Sequence, residues 1–258
     1  MVHDDLGADV ALARSVTRVV SLVPSITESI AVSCPEILVG ATQWCTHPAD
    51  LEVARVRGTK NPDLAAIMEL APDVVVANRE ENRELDVQRL REAGINVWVT
   101  KIETVPEAIA SLRRLFVDCL GQQVPQWLMD ANRVWSYPSR PLNVRVAVPI
   151  WRDPWMVIGR STFAGDLLIR LGLTHTFSEH ADRYPKVALE NFVEERIDLV
   201  LLPDEPYVFA ADDGPEAFPH IRTALISGRE LTWYGPSLVD ARDHLTAAIG
   251  TAIAGANT

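Results

Sequence analysis

Leu64-Ala-Ala-Ile-Met-Glu-Leu-Ala-Pro-Asp-Val-Val-Val76 and Leu189-Glu-Asn-Phe-Val-Glu-Glu-Arg-Ile-Asp-Leu-Val-Leu201 stand 125 positions apart, residue for residue. Leu64 meets Leu189, Ile67 meets Phe192, Glu69 meets Glu194 and Asp73 meets Asp198. Each stretch reads as a short helix, an aspartate, then an apolar run of strand length. The same offset sets Val19–Pro24, a strand ending in proline, against Val144–Pro149. Two separated segments sharing one offset mark an internal duplication. The chain reads as two copies of one lobe.

Working outward, each copy alternates strands and helices. In the first, Val19–Val23, Ile37–Ala41, Asp73–Ala77 and Ile95–Val99 are expected strands, and Ser25 is placed to cap the helix after the first of them. Leu64–Leu70 and Asn82–Ala93 are expected helices. In the second, Val144–Pro149, Asp198–Leu202 and Leu231–Tyr234 are the strands, with helices over Thr162–Leu171, Leu189–Arg196 and Pro236–Ala254. This alternation predicts an α/β fold of parallel sheets with helices on both faces. Val105, Ile109, Leu112, Phe116 and Cys119 recur at helical spacing, and a second run from Pro125 to Trp135 follows them. The expected organisation is an N-terminal α/β lobe over 1–103, a stiff helical linker over 104–141 and a C-terminal α/β lobe over 142–258.

Bulk properties narrow the function. The 258 residues carry a formal net charge of −11 with no basic stripe, which argues against nucleic acid and against an anionic membrane surface. Met1–Val10 holds three aspartates and lacks the basic and apolar regions of a secretory signal, so the chain as written reads as cytoplasmic. An extracytoplasmic location is the alternative if the natural start lies upstream. Cys34, Cys45 and Cys119 suggest no disulfide framework, a Cys34–Cys45 bridge being the one conceivable pairing. GxSxG, GxGxxG and GxxxxGK[ST] patterns are absent.

Ligands of open α/β sheets sit beyond the carboxyl ends of the strands. There the sequence places Thr42-Gln-Trp-Cys-Thr-His-Pro48, Asn78-Arg-Glu-Glu-Asn82, Ile150-Trp-Arg-Asp-Pro-Trp155, Pro203-Asp-Glu-Pro-Tyr207 and Trp233-Tyr234. Trp44, Trp151, Trp155 and Trp233, four of seven tryptophans, thus fall at expected strand ends, where indoles make rigid contact surfaces. The competing reading is that they plug the ends of small sheets. Cys45 and His47 could ligate a metal with Glu80, Glu81 or Glu205, although a dedicated site normally draws on more histidines. Asp204 and Glu205 could also be a catalytic carboxylate pair with Glu80, while the Arg79–Glu84 cluster could simply be a solvated helix start.

Arg18-Val-Val-Ser-Leu-Val-Pro-Ser-Ile-Thr-Glu28, Gly58-Thr-Lys-Asn-Pro-Asp-Leu64 and Leu70-Ala-Pro-Asp-Val-Val-Val76 resemble the helical-backbone metal-receptor family, the class III importer substrate-binding proteins. Thr42–Pro48, Trp151–Trp155 and Tyr184-Pro-Lys-Val-Ala-Leu-Glu190 are similar to its cobalamin-binding branch. The resemblance implies two Rossmann-like lobes joined by a rigid helix, with a ligand cleft between them and no catalysis. The implied ligand is a metal chelate, a corrinoid before haem or a ferric siderophore, handed to a membrane permease. Trp44 falls where that branch has a tyrosine, Tyr184 where it has a tryptophan, and Asn78 where it has another tryptophan. Family members dock the permease through one glutamate per lobe. Glu190 matches the second, whereas the first position is Ala65.

The expected ligand-binding set is therefore Trp44, Cys45, His47, Lys60, Glu80, Trp151, Arg152, Trp155, Tyr184, Glu205 and Trp233, the aromatics stacking and Arg152, Lys60, Glu80 and Glu205 hydrogen-bonding the ligand's periphery. The rivals are a chelatase or corrinoid-processing enzyme on the same frame, using His47 with Glu80 or Glu205, and a ligand-free interaction module.

Overall fold

The computed structural model describes residues 2–12 and 15–255. They divide into two compact units, Met1–Ile102 with Glu107–Asp130 and Tyr234–Pro236, and Glu103–Pro106 with Ala131–Trp233 and Ser237–Thr258.

The first unit opens with a small hairpin, β1 (Val2–His3) and β2 (Asp9–Val10), followed by β3 (Val19–Ser21), α1 (Pro24–Ser33), β4 (Leu38–Ala41), β5 (Ala54–Arg55), β6 (Arg57–Gly58) and β7 (Asn61–Pro62). Then come α2 (Leu64–Glu69), β8 (Val74–Asn78), α3 (Glu84–Glu92) and β9 (Val97–Thr100). The main sheet is parallel throughout in the order β5-β4-β3-β8-β9. Its strands are short and apolar because both faces are covered. Val20, Leu22, Val75, Ala77, Val97 and Val99 form one core with Ile67, Val87 and Leu90. Asp63 starts α2 by accepting the Ala66 N–H at 3.2 Å. Ser25 does not cap α1: Val23 takes that position without a side-chain bond, and Pro24 supplies the preset backbone angle of a first helical residue.

Two helices follow in sequence, α4 (Val105–Arg114), continued by a wider π turn over Leu115–Cys119, and α5 (Gln126–Val134). The periodic run that reads as one helix is thus a helix with a π segment at its end.

The second unit contains β10 (Arg145–Ala147), a hairpin of β11 (Pro149–Trp151) and β12 (Met156–Val157), α6 (Phe163–Arg170), β13 (Thr174–His175), α7 (Leu189–Glu194), β14 (Leu199–Pro203), β15 (Arg222–Ile226), α8 (Gly228–Thr232) and α9 (Leu238–Ala254). Its parallel sheet has the order β13-β10-β14-β15. Thr162 caps α6 through the Gly165 N–H at 3.1 Å. The strand expected at Leu231–Tyr234 is instead the end of α8 and the residues after it; the edge strand is β15. Edge position explains the miss. Arg222 and Leu225 are exposed, so β15 lacks the continuous apolar run of a central strand.

The duplication is visible in the backbone. α2 and α7, and β8 and β14, begin and end 125 residues apart. The first strands do not keep that spacing. Val19 pairs with Val74 while Val146 pairs with Leu199, so β3 matches β10 at 127 positions, and the Val19–Val144 alignment is two residues out. A shift of two leaves every side chain on its original face of a strand, so apolar pattern alone does not detect it.

Cys34, Cys45 and Cys119 are all buried free thiols, which removes the Cys34–Cys45 bridge. No helix among the described residues is long and apolar enough to cross a membrane.

Candidate ligand-binding site

In the first unit the loop after β4 carries Trp44, 59% exposed, above the hairpin formed by β6 and β7. The next residue faces inward. Cys45 is buried, its Sγ 3.0 Å from Thr27 Oγ1 and 3.2 Å from Thr42 Oγ1, and burial pushes its thiol above the ordinary range. A protonated, enclosed sulfur of this kind is a structural residue, neither a ligand contact nor a metal donor. His47 is half-buried, with Nδ1 3.1 Å from Thr46 Oγ1. No group of three or more His, Cys, Asp or Glu side chains among the described residues is arranged to hold a metal ion.

The loop after β8 is built around Asn82, a buried amide with both N–H donors and its oxygen engaged. Its Oδ1 accepts the Asn78 N–H at 2.8 Å, and its Nδ2 donates to the carbonyls of Leu22 at 3.3 Å and Thr59 at 3.0 Å. One side chain therefore ties together the end of β3, the turn between β6 and β7, and the loop after β8. Lys60, exposed on that turn, donates to the Glu80 carbonyl oxygen at 2.5 Å. Asn78 Oδ1 accepts the Glu80 N–H at 2.8 Å, so Glu80 is held at its backbone from both directions. Tyr234, counted in the same unit, is buried and donates to Glu81 Oε1 at 2.8 Å.

In the second unit Trp151 ends β11, 47% exposed, with Tyr207 edge-on at 5.7 Å. Arg152 beside it is committed to the protein's own carboxylates. It pairs with Asp213 and, at 2.5 Å, with Glu216, and its guanidinium lies 5.5 Å from the Trp155 ring. Tyr207 donates to Asp213 Oδ2 at 2.7 Å, and this bond, then the Arg152 charge, lowers the Asp213 carboxyl.

Trp155 and Trp233 lie elsewhere than the sequence suggests. Trp155 is buried, stacked on Phe209 at 5.9 Å and edge-on to Phe218 at 5.2 Å, inside the core that includes Phe177 and Phe192. It belongs to the hydrophobic interior. Trp233 follows a helix, not a strand, and is also buried. Its indole N–H serves Glu205, whose carboxyl burial raises above the usual carboxylate range against the opposing effect of that bond. Glu205 Oε1 is buried without a hydrogen-bond partner among the described residues. Tyr184 is half-buried on the segment running beside β12, where Pro185 O accepts the Val157 N–H at 3.0 Å and Arg183 O the Gly159 N–H at 2.7 Å. Glu190 and Ala65 occupy matching exposed positions in the first turns of α7 and α2.

Of the expected residues, the structure leaves Trp44, Lys60 and Trp151 exposed, His47, Glu80, Arg152, Tyr184 and Glu205 part-buried, and Cys45, Trp155 and Trp233 inside. Tyr207 and Asn82 also belong to these loops, and no pattern in the sequence distinguishes them from their neighbours. Period and composition do not distinguish a tip residue that packs on a neighbour from one that does not.

No protein-family model matches the chain. A vitamin B12-binding protein from Pectobacterium carotovorum subsp. carotovorum is 21% identical over 198 residues, 73% of this chain and 72% of that protein. The crystal structure of the periplasmic vitamin B12 binding protein BtuF of Vibrio cholerae superposes with a TM-score of 0.76 at 17% identity, covering 93% of this chain and 98% of that one. The periplasmic heme-binding protein BhuT in complex with two hemes gives 0.77 at 21% identity, covering 92% and 99%. The α/β fold of parallel sheets and helices is that of these proteins, and the resemblance to importer substrate-binding proteins is borne out. The cytoplasmic expectation is not supported, because these structural relatives are periplasmic.

Proposed function

We propose that this relative of the vitamin B12-binding proteins is a reversible, non-catalytic binding protein for a metal chelate of corrinoid type, working outside the cytoplasm beside an importer. One observation carries the choice of ligand: each unit exposes an indole at its strand tips, while the positive charge beside them is sparse. Arg152 is paired with two carboxylates of its own unit, Asp213 and Glu216, and Lys60, bonded to the neutral Glu80 carbonyl, offers a single ammonium. Haem carries two propionates, and burying both calls for more compensating charge than one lysine. A corrinoid presents a broad apolar ring with a periphery of neutral amides, which suits Trp44 and Trp151 for stacking and Glu80 for hydrogen bonds.

The contacts we assign are Trp44, Glu80, Trp151, Tyr184 and Tyr207, with His47 at the margin. Cys45, Trp155 and Trp233 support them from inside. Glu190 is proposed to dock the permease, and Ala65 removes a charge-assisted contact at the equivalent place in the first unit. The enzyme alternative is not carried forward, since the relatives are binding proteins.

The test is incubation with cobalamin, haem and a ferric siderophore, each followed by gel filtration and a visible spectrum. Retention of cobalamin colour supports the proposal. Retention of haem alone overturns the ligand choice.

A further inference from the structure

Gly58 lies in β6 beneath the exposed Trp44 ring. A methyl group there would come within 3.1 Å of Trp44 Nε1 and 2.5 Å of Asn61 Oδ1. Closer than about 3.4 Å a carbon atom is in repulsive contact, so the indole rests on this glycine because no side chain intervenes. The seat itself is fixed. Gly58 pairs with Asn61 across the hairpin, the Gln43 N–H donates to Arg57 O at 2.8 Å, and Asn82 and Lys60 fasten the Thr59–Lys60 turn to the loop after β8. Arg57 adopts a positive φ of 64°, whereas Gly58 itself does not, so its bareness serves packing and not backbone conformation.

We infer that Gly58 is a positioning residue: it seats the Trp44 indole on a hairpin locked to the β8 loop, so that the first unit's stacking surface is formed before any ligand arrives. A preset aromatic avoids the ordering cost of immobilising a free side chain on binding. The inference rests on the reading of Trp44 as a ligand contact, and its test separates the two.

The experiment uses the full chain as wild type, Gly58→Ala, Trp44→Ala and the double variant. It measures cobalamin affinity, melting temperature, and the fluorescence anisotropy of Trp44 obtained by subtracting the Trp44→Ala signal. Gly58→Ala is compatible with the backbone angles of the site, and the exposed Asn61 side chain can turn aside. The expected result is an unchanged melting temperature, lower Trp44 anisotropy, and roughly two- to tenfold weaker binding that disappears in the Trp44→Ala background. Equal weakening in both backgrounds, or unchanged anisotropy, would overturn the role of Gly58. If Trp44→Ala leaves affinity unaltered, the contact reading fails on its own, and anisotropy alone then decides whether Gly58 seats the ring.

Discussion

Asp73 and Asp198, one repeat apart, hold their lobes' first strands in the same way. Asp73 Oδ2 accepts the Arg18 N–H at 2.9 Å, and Asp198 Oδ2 accepts the Arg145 N–H at 2.8 Å. Each arginine then sends its Nε to the carbonyl three residues before its aspartate, Arg18 to Leu70 and Arg145 to Glu195, both at 3.0 Å. The duplicated unit thus keeps its electrostatic fastening as well as its apolar pattern.

That fastening makes a pH prediction for Asp73. The Thr17 N–H, then that of Arg18, lowers its carboxyl below the ordinary value. A depressed folded-state value means stability that is present above the unfolded pKa, about 3.9, and lost as pH falls through the folded one. Asp73→Asn should lower stability at pH 7 by about 1 kcal/mol and flatten the loss on acidification. Urea midpoints between pH 7 and 3 measure both.

His175 should set a separate acid limit. It is buried, with Nε2 2.9 Å from Ile158 O, a carbonyl that requires the ring N–H there. Burial lowers its pKa against the smaller effect of that bond. The unfolded chain takes up a proton near pH 6.5, and the folded chain resists it, so stability falls as pH drops below about 6.5. His175→Gln should be less stable at pH 7.5 yet show a shallower slope from pH 7 to 5.

Glu205 should act in the opposite sense. Its raised carboxyl binds a proton more tightly folded than unfolded, so the contribution is present below the unfolded pKa and is lost as pH rises through the folded one. Glu205→Gln should be more stable than wild type above that window and indistinguishable below it. The adjacent Trp233 emission should titrate in wild type and stay flat in the variant.

The tryptophans should separate into two classes. Trp155→Ala empties a packed aromatic core and should cost about 3–5 kcal/mol in chemical denaturation. Trp44→Ala and Trp151→Ala remove exposed rings and should leave melting within a few degrees while weakening cobalamin roughly tenfold each, ~1.4 kcal/mol. Calorimetric titration paired with thermal melts distinguishes the classes.

How far the sequence anticipates this protein depends on what each residue's signal was. The helix–strand pair Leu64–Val76 and its copy were legible because buried periodicity and a fixed aspartate recur together. The last strand was not, since β15 is an edge whose Arg222 and Leu225 face outward, while Leu231–Tyr234 has a strand's composition but holds the end of α8 and the two residues after it. At the strand tips, sequence located the right loops but not which side chains leave them. Trp151 and Trp155 share one loop, yet one ring is exposed and the other meets Phe209 and Phe218, residues more than 50 positions away. Such partners are fixed by tertiary packing, which no local pattern contains.

The most direct test of the account is the colour that the purified protein retains after gel filtration from an excess of cobalamin at tens of micromolar protein. The account predicts a cobalamin spectrum co-eluting with wild type and diminished in both Trp44→Ala and Trp151→Ala. A colourless wild-type peak, or cobalamin retained undiminished by both variants, would contradict it.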